Sequence, residues 1–507
     1  MAGRVRRVGP SMALLATAGT LLLSSSGGAR TISQAATTSP LPSLVTTPAV
    51  ERFPVHNLHR SYAAYGPSGR LLGHASWLVT PAGGNCCEDY AAATPRGRLL
   101  AFGGTYPMYS DNQGRTWYEV KPITPLNNGE GAIVAGPHGE IAGIGWDAYS
   151  GDHLQAFRYD PTHRTWRVAE VPLKNPFFDR PWITVAHGPF TIGGQRYPWI
   201  YIVRGGTTNK DPELISTDGL TYTQLTSQML DEMQASGKPI GRTVAVHSFS
   251  LADYWAPHPW AGTIPLTGGG LLQITQPNDG DSASCGVSVF QQALGSWRCS
   301  AFAPPGINTW QQTVAVCCQV RQDSRGWLSD VVPATVTGAK TLQYRLSTNG
   351  GRSWSAATVL TPPKGGTLEA DDLYNVVVNG HLGLAAVSAR FDNAAGDGQD
   401  MVFVVDVSHV RPRLLYTLLL GKGDAQTAND VSGSAGDRMD YATAAILPGG
   451  KIVASFDDST TFLAPETTLT SAEVGTENSY LGHNQPNLAI LGRPARDLFA
   501  KPHKARR

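Results

Sequence analysis

One short pattern returns along this chain and limits what it can fold into: Ser, any residue, Asp or Asn, any residue, Gly, any residue, Thr or Ser, then an aromatic. It reads Ser110-Asp111-Asn112-Gln113-Gly114-Arg115-Thr116-Trp117, and again Ser347-Thr348-Asn349-Gly350-Gly351-Arg352-Ser353-Trp354. A version one residue shorter runs from Ser216 to Tyr222, and a fourth, with Ser459 in place of Gly, runs from Ser455 to Phe462. The physics is that of a hairpin turn. The Asx side chain accepts bonds from nearby backbone N–H groups, Gly supplies a left-handed conformation, and the aromatic packs between sheets. A turn repeated from residue 110 to residue 462 predicts a repeated supersecondary unit rather than one isolated hairpin.

A second recurrence frames the first. Asp89-Tyr90-Ala91 leads into TPRGRLLAF, and Asp440-Tyr441-Ala442 into LPGGKIVASF; AIVAGPHGEIAGIGW from Ala132 and NVVVNGHLGLAAVS from Asn375 have the same form. Each reads as apolar strand, Gly-containing turn, apolar strand. With the Ser-x-Asp turn closing an outer hairpin, the unit is a four-stranded blade. Such units fall near 86–122, 130–172, 179–226, 241–302, 308–360, 367–420 and 437–470. The fold expected is all-β, a β-propeller of four-stranded blades, with seven blades favoured over six. The last unit is short of a strand, and residues 52–80 are expected to complete it and fasten the ring. The stretch 227–237 (SQMLDEMQASG) reads as a short helix.

Composition narrows the partners. Charged residues are 16%, with 40 basic against 39 acidic, so no global field draws nucleic acid or an anionic membrane. Arg4, Arg6 and Arg7 precede the apolar run Met12 to Leu23, which is shorter than a membrane-spanning helix needs. Residues 1–36 are expected as a signal peptide, 37–51 as a linker, 52–470 as the propeller and 471–507 as a C-terminal extension. The expected destination is extracellular, without a membrane span after signal removal, as a monomer. Six cysteines suit an oxidising compartment. Cys285 and Cys299 flank a hairpin-like stretch that makes a cross-strand disulfide plausible, and Cys86-Cys87 and Cys317-Cys318 are vicinal pairs of open connectivity. No Cys or His spacing suggests a metal site, and no cofactor is expected.

The Ser-x-Asp pattern resembles the Asp-box (BNR) repeat of the sialidase superfamily. The stretch Gly97-Arg98-Leu99-Leu100-Ala101-Phe102 leading to Ser110 is similar to the first blade of sialidases, and Tyr441 before Gly449-Gly450 is similar to their late Tyr region. In that family an Arg-Ile-Pro motif before the first strand supplies one of three substrate-binding arginines. This chain reads Cys86-Cys87-Glu88-Asp89-Tyr90 there, and its nearest triplet is Arg52-Phe53-Pro54, well upstream.

In a propeller the innermost strand of each blade starts near the axis, so the residues before each unit ring one mouth. Here they include Asp89, Glu130, Asp179, Arg180, Arg242, Glu369, Arg438, Asp440 and Tyr441. Paired carboxylates serve glycoside cleavage, an Arg fork matches a substrate carboxylate, and a Tyr beside a carboxylate can be a nucleophile. Asp89, Glu369, Asp440 and Tyr441 are therefore the candidate catalytic residues. Arg180, Arg242, Arg438, Glu130 and Asp179 are the candidate substrate-binding residues. Each has a plainer structural reading: Asp179-Arg180 as an internal ion pair, Asp89-Tyr90 and Asp440-Tyr441 as a repeated contact. The partner expected is a carbohydrate, cleaved as by a glycoside hydrolase. A non-catalytic glycan- or protein-binding propeller and a polysaccharide lyase are the alternatives.

Overall fold

A computed structural model describes residues 44–55, 57–80, 90–94, 96–102, 106–121, 126–147, 154–160, 162–171, 182–204, 214–226, 229, 263–265, 271–274, 287–291, 296–300, 319–336, 339–349, 353–363, 366–368, 374–392, 398–421, 443–458 and 485–499. These form six antiparallel sheets. Sheet I pairs Tyr90–Ala93, Leu99–Phe102, Met108–Ser110 and Trp117–Lys121 in order, with Ala49–Phe53 on its far edge. Sheet II follows as Leu126–Ala135, Ile141–Asp147, Leu154–Asp160 and Thr165–Glu170, edged by Leu44–Thr46. Sheet III is Trp182–Ile192, Gln195–Arg204, Leu214–Ser216 and Thr223–Gln224. Sheet IV is Thr263–Pro265, Leu271–Ile274, Val287–Gln291 and Ser296–Ser300, and sheet V is Gln319–Gln322, Leu328–Val336, Ala339–Ser347 and Thr358–Leu360.

Sheet VI has two halves. In VIa, Tyr374–Asn379, Leu384–Asp392, Gly398–Asp406 and Arg413–Leu419 run as a meander. In VIb, Ala444–Ile446, Ile452–Asp458 and Gln485–Leu491 are completed by Leu71–Thr80, whose hairpin partner Leu58–Tyr65 pairs with VIa. The 52–80 segment thus does fill the place left in the last unit. The strand Gln485–Leu491 lies within the stretch read as a C-terminal extension. It is far in sequence from the strand it pairs with, and only tertiary pairing reveals it.

Two hairpin types build these sheets. The first joins first and second strands. At Thr94–Arg98 the Gly97 N–H donates to the Thr94 carbonyl and the Thr94 N–H to the Arg98 carbonyl, both at 2.9 Å. Gly97 sits at φ +88°, the left-handed residue such a loop needs. The same pair of bonds recurs at Gly136–Glu140, Asp323–Trp327 and Leu447–Lys451, and also at Gly66–Arg70, where it joins Leu58–Tyr65 to Leu71–Thr80 instead.

The second type joins third and fourth strands and carries the Ser-x-Asp pattern. The Thr116 N–H donates to Asn112 Oδ1 at 2.8 Å and the Gly114 N–H to Ser110 Oγ at 2.9 Å. Gly114 has φ +83°, and an added Cβ would lie 2.7 Å from Ile490 Cδ1, so both conformation and packing demand glycine. Asp218 accepts from the N–H groups of Leu220 and Thr221 at 2.8 and 2.7 Å, and Asn349 from Ser353 at 3.0 Å. Trp117 and Tyr222 are buried behind these turns.

The fourth match does not form this turn where it begins. Ser455 and Phe456 lie within the second strand of VIb, where Phe456 is buried and the Ser455 hydroxyl bonds Thr443 Oγ1 at 2.9 Å. Sheet II instead closes its outer hairpin with Asp160, which accepts from the Thr162 N–H at 2.8 Å and precedes the buried Trp166. The expected helix at 227–237 has only Met229 described, and it is helical. Cys86, Cys87, Cys285, Cys317 and Cys318 lie outside the described residues; the hairpin between Val287–Gln291 and Ser296–Ser300 is present, with Cys299 opposite Ser288.

Apolar cores lie between successive sheets. Phe102, Phe157, Trp166 and Tyr201 join sheets I to III; Tyr344, Phe391 and Phe403 join V to VIa. Trp77, Val404 and Phe456 join the halves of VI, and Trp117, Leu488 and Ile490 bring VIb against sheet I.

Candidate functional site

The first strands of the sheets meet one another. That of sheet I lies against that of II, II against III, III against IV, V against VIa, VIa against VIb, and VIb back against I. A hydrogen bond ties the last contact: the Ala91 N–H donates to Thr443 Oγ1 at 3.2 Å. Around these strands lies a cavity of about 670 Å³, lined from sheets I, II, III, VIa and VIb and by Ser324 of sheet V. Volumes of this order hold small molecules.

The cavity wall is apolar, from Ala91 and Ala93 through Ile133, Val185 and Val377 to Ala445. Its polar groups are Thr94, Ser324, Asn375, Asn379, His381 and Thr443, and among the described lining residues His381 is the one ionisable side chain. Among the described lining residues there is no carboxylate pair of the kind glycoside cleavage uses. One end is formed by the first hairpins, since Thr94, Gly136, Pro137, Ser324, His381 and Pro448 all line the cavity. The other end is where the first strands begin.

Asp89, Asp179, Arg180, Arg242, Glu369, Arg438, Asp440 and Tyr441 lie outside the described residues, as does the aromatic stretch 247–260. Glu130 falls within the strand Leu126–Ala135, in the stretch between the pairs Gly131↔Gly145 and Leu126↔Asp147 where the register shifts. Arg52 pairs with Tyr118 at the edge of sheet I opposite the strand Tyr90–Ala93, so the displaced Arg-Phe-Pro triplet is remote from the cavity.

Sequence reasoning attended to strand starts and missed the hairpin end, including His381 and Asn379. The repeated Gly turns carried that signal. Buried charge lies between sheets rather than in the cavity. Glu140 Oε1 accepts from Arg158 Nη2 at 2.8 Å and from the Tyr201 hydroxyl at 3.1 Å, joining sheets II and III. Burial and the nearby Glu140 carboxylate raise the Tyr201 phenol. Among the described residues no cluster of three or more His, Cys, Asp or Glu is arranged to hold a metal, and no helix is long and apolar enough to cross a membrane.

The class these features define is an all-β protein of several small antiparallel sheets whose first strands surround one cavity. No protein-family model and no curated protein sequence matches the chain. Among solved structures it is similar to the Penicillium chrysogenum α-L-arabinanase complexed with arabinobiose, at 10% identity, 71% of this chain, 92% of that chain and TM-score 0.28. It is also similar to the NanB sialidase from Streptococcus pneumoniae, at 14% identity, 82% and 69% coverage and TM-score 0.27. A fungal alcohol oxidase in complex with copper gives 11% identity, 88% and 76% coverage and TM-score 0.29. With scores this low the likenesses carry no weight, and function rests on this chain's own residues.

Proposed function

We propose that this chain is an exported Asp-box propeller of seven blades that acts on glycans at the opening where its first strands begin. The observation that supports this is the shared cavity: the first strands of sheets I, II, III, VIa and VIb line it, and the first hairpins of sheets I, II, V, VIa and VIb line one end of it. The residues just upstream of those strands then belong to the opposite opening. Asp89 immediately precedes the strand Tyr90–Ala93, Arg180 stands two residues before Trp182–Ile192, and Tyr441 three before Ala444–Ile446. At strand rises of about 3.3 Å per residue, such residues lie within roughly 10 Å of the strand ends they precede.

In this reading Asp89, Glu369 and Asp440 supply acid and base, and Tyr441 is the nucleophile or proton donor. Arg180, Arg242 and Arg438 clamp an acidic sugar, assisted by Glu130 and Asp179. A panel of dye-linked glycosides and polyuronides tests it. Turnover that drops by about a hundredfold or more in Tyr441→Phe and in Asp89→Asn is expected for groups that move protons. Turnover that survives both, and Arg438→Ala as well, refutes the residue assignment. Glycan binding without turnover on any substrate would leave a non-catalytic propeller in its place.

A further inference from the structure

The polar side chains of the cavity wall are not alike in what they bond. Thr94 Oγ1 accepts from the Arg98 N–H at 3.1 Å, and Asn379 Oδ1 from the Leu382 N–H at 3.1 Å. Thr443 Oγ1 accepts from the Ala91 N–H at 3.2 Å and bonds Ser455 Oγ at 2.9 Å. Each of these three holds a turn or a strand contact. Asn375 does neither. It lines the cavity and is 6% exposed, yet its carboxamide has no hydrogen-bond partner among the described residues.

Its neighbours make this costlier. Asn375 pairs across the ladder with Ser388, so the two side chains share one face of VIa, and Ser388 Oγ is buried without a partner. Val377 stands on that face too and packs with the core joining VIa to VIb. In such a setting an unbonded carboxamide destabilises the fold, whereas an alkyl group of similar size would not. An orphaned polar group of this kind is accounted for when a bound molecule completes it.

Position fixes the end from which that molecule enters. Asn375 is the second residue of the strand Tyr374–Asn379, Ala91 is the second of Tyr90–Ala93, and Thr443 immediately precedes Ala444–Ile446. All three line the cavity, so Asn375 stands where the first strands begin, away from the hairpin that carries His381. A carboxamide presents an acceptor oxygen beside two N–H donors. A hydroxyl, which both donates and accepts, completes it; a carboxylate only accepts and an ammonium only donates. We infer that Asn375 is a sugar-binding residue of this opening, its carboxamide holding the hydroxyls of a sugar unit in the mouth of the cavity. The inference rests on the glycan reading above and adds to it a neutral residue inside the cavity.

Calorimetric titration of the full chain with xylohexaose, mannohexaose, hexagalacturonate and sialyllactose tests this, the tightest binder being carried to the variants. Asn375→Ala and Asn375→Leu should each weaken that sugar about tenfold or more, a donor and an acceptor being lost together. Their melting temperatures should match wild type or exceed it, because no bond within the protein is removed. Asn375→Ser keeps a donor and an acceptor and should recover part of the affinity. Sugar binding that is indifferent to Asn375→Ala and Asn375→Leu overturns the inference and leaves the glycan reading standing. A lowered melting temperature, or a failure to fold, in both variants also overturns it, since Asn375 would then be holding the structure together. If none of the four sugars binds, the inference falls, and the turnover panel decides separately whether the glycan reading falls with it.

Discussion

Sheets II and V each bury a carboxylate near an arginine, and they treat it in opposite ways. Glu140, at the head of the second strand of sheet II, is 5% exposed and fully engaged, taking bonds from Arg158, Tyr201 and the His138 N–H. Asp330, in the second strand of sheet V, is 2% exposed and stands opposite Arg345, yet its Oδ1 has no hydrogen-bond partner. Burial pushes the Asp330 carboxyl up to about 8, with Arg345 pulling the other way and losing. Gln343 Nε2 and Arg345 Nε on the same face are also without partners. The lesson is that a nearby guanidinium does not keep a buried carboxylate charged. Where direct bonds to a carboxyl oxygen are missing, as at Asp330 Oδ1, burial wins and the proton stays on.

The sharpest way to break this comparison is Glu140→Ala. It strands Arg158 and the Tyr201 hydroxyl between two sheets and should cost about 3 kcal/mol in urea unfolding. A loss below about 1 kcal/mol would mean the clamp does not hold the sheets together. Asp330→Asn probes the other side. The folded carboxyl keeps its proton up to about 8 while the unfolded one releases it near 3.9, so stability should fall as pH rises through that window. The asparagine variant should flatten this slope. An unchanged slope in the variant would show that Asp330 is not the group responsible.

Asp406 sharpens the rule at the end of the third strand of VIa. Burial works to raise it, but the Ser408 hydroxyl and N–H and the Arg413 and Arg496 guanidinium groups outweigh burial and hold it well below the usual carboxylate range. Arg496→Ala should cost about 1–2 kcal/mol at neutral pH, because Arg413 remains. This contribution is present above the unfolded carboxylate value and lost as pH falls through the folded one, so wild type and variant should converge in acid. Parallel curves would detach Arg496 from the Asp406 titration. The smallest effect belongs to the turns: Asp218→Ala removes bonds to Leu220 and Thr221 and should cost about 1 kcal/mol, read as a lower melting temperature. No loss there would make the Ser-x-Asp pattern a consequence of the fold rather than a support for it.

Much of the architecture was legible in residues alone. Ser110 to Trp117, Ser216 to Tyr222 and Ser347 to Trp354 each mark a third-to-fourth hairpin, because the side chain that makes the turn is next to the backbone it bonds. The glycine turns after Ala93 and Ala135 marked the first hairpins for the same reason. The Asp160 turn escaped because Pro and His stand where the pattern has Asn and Gly, although Thr165-Trp166 repeats Thr116-Trp117. The match at Ser455 misled because a strand residue and a turn residue can share a short string.

What the chain determined by itself is local: where it turns, which segments are strands, and that the strands come in repeated meanders. Those outcomes depend on contacts a few residues long. Tertiary structure alone decided that Gln485–Leu491 pairs with Leu71–Thr80, that Glu140 is bonded while Asp330 Oδ1 has no partner, and that the first strands line a largely apolar cavity. Each of these depends on groups far apart in sequence, whose distance and desolvation exist only once the sheets have packed.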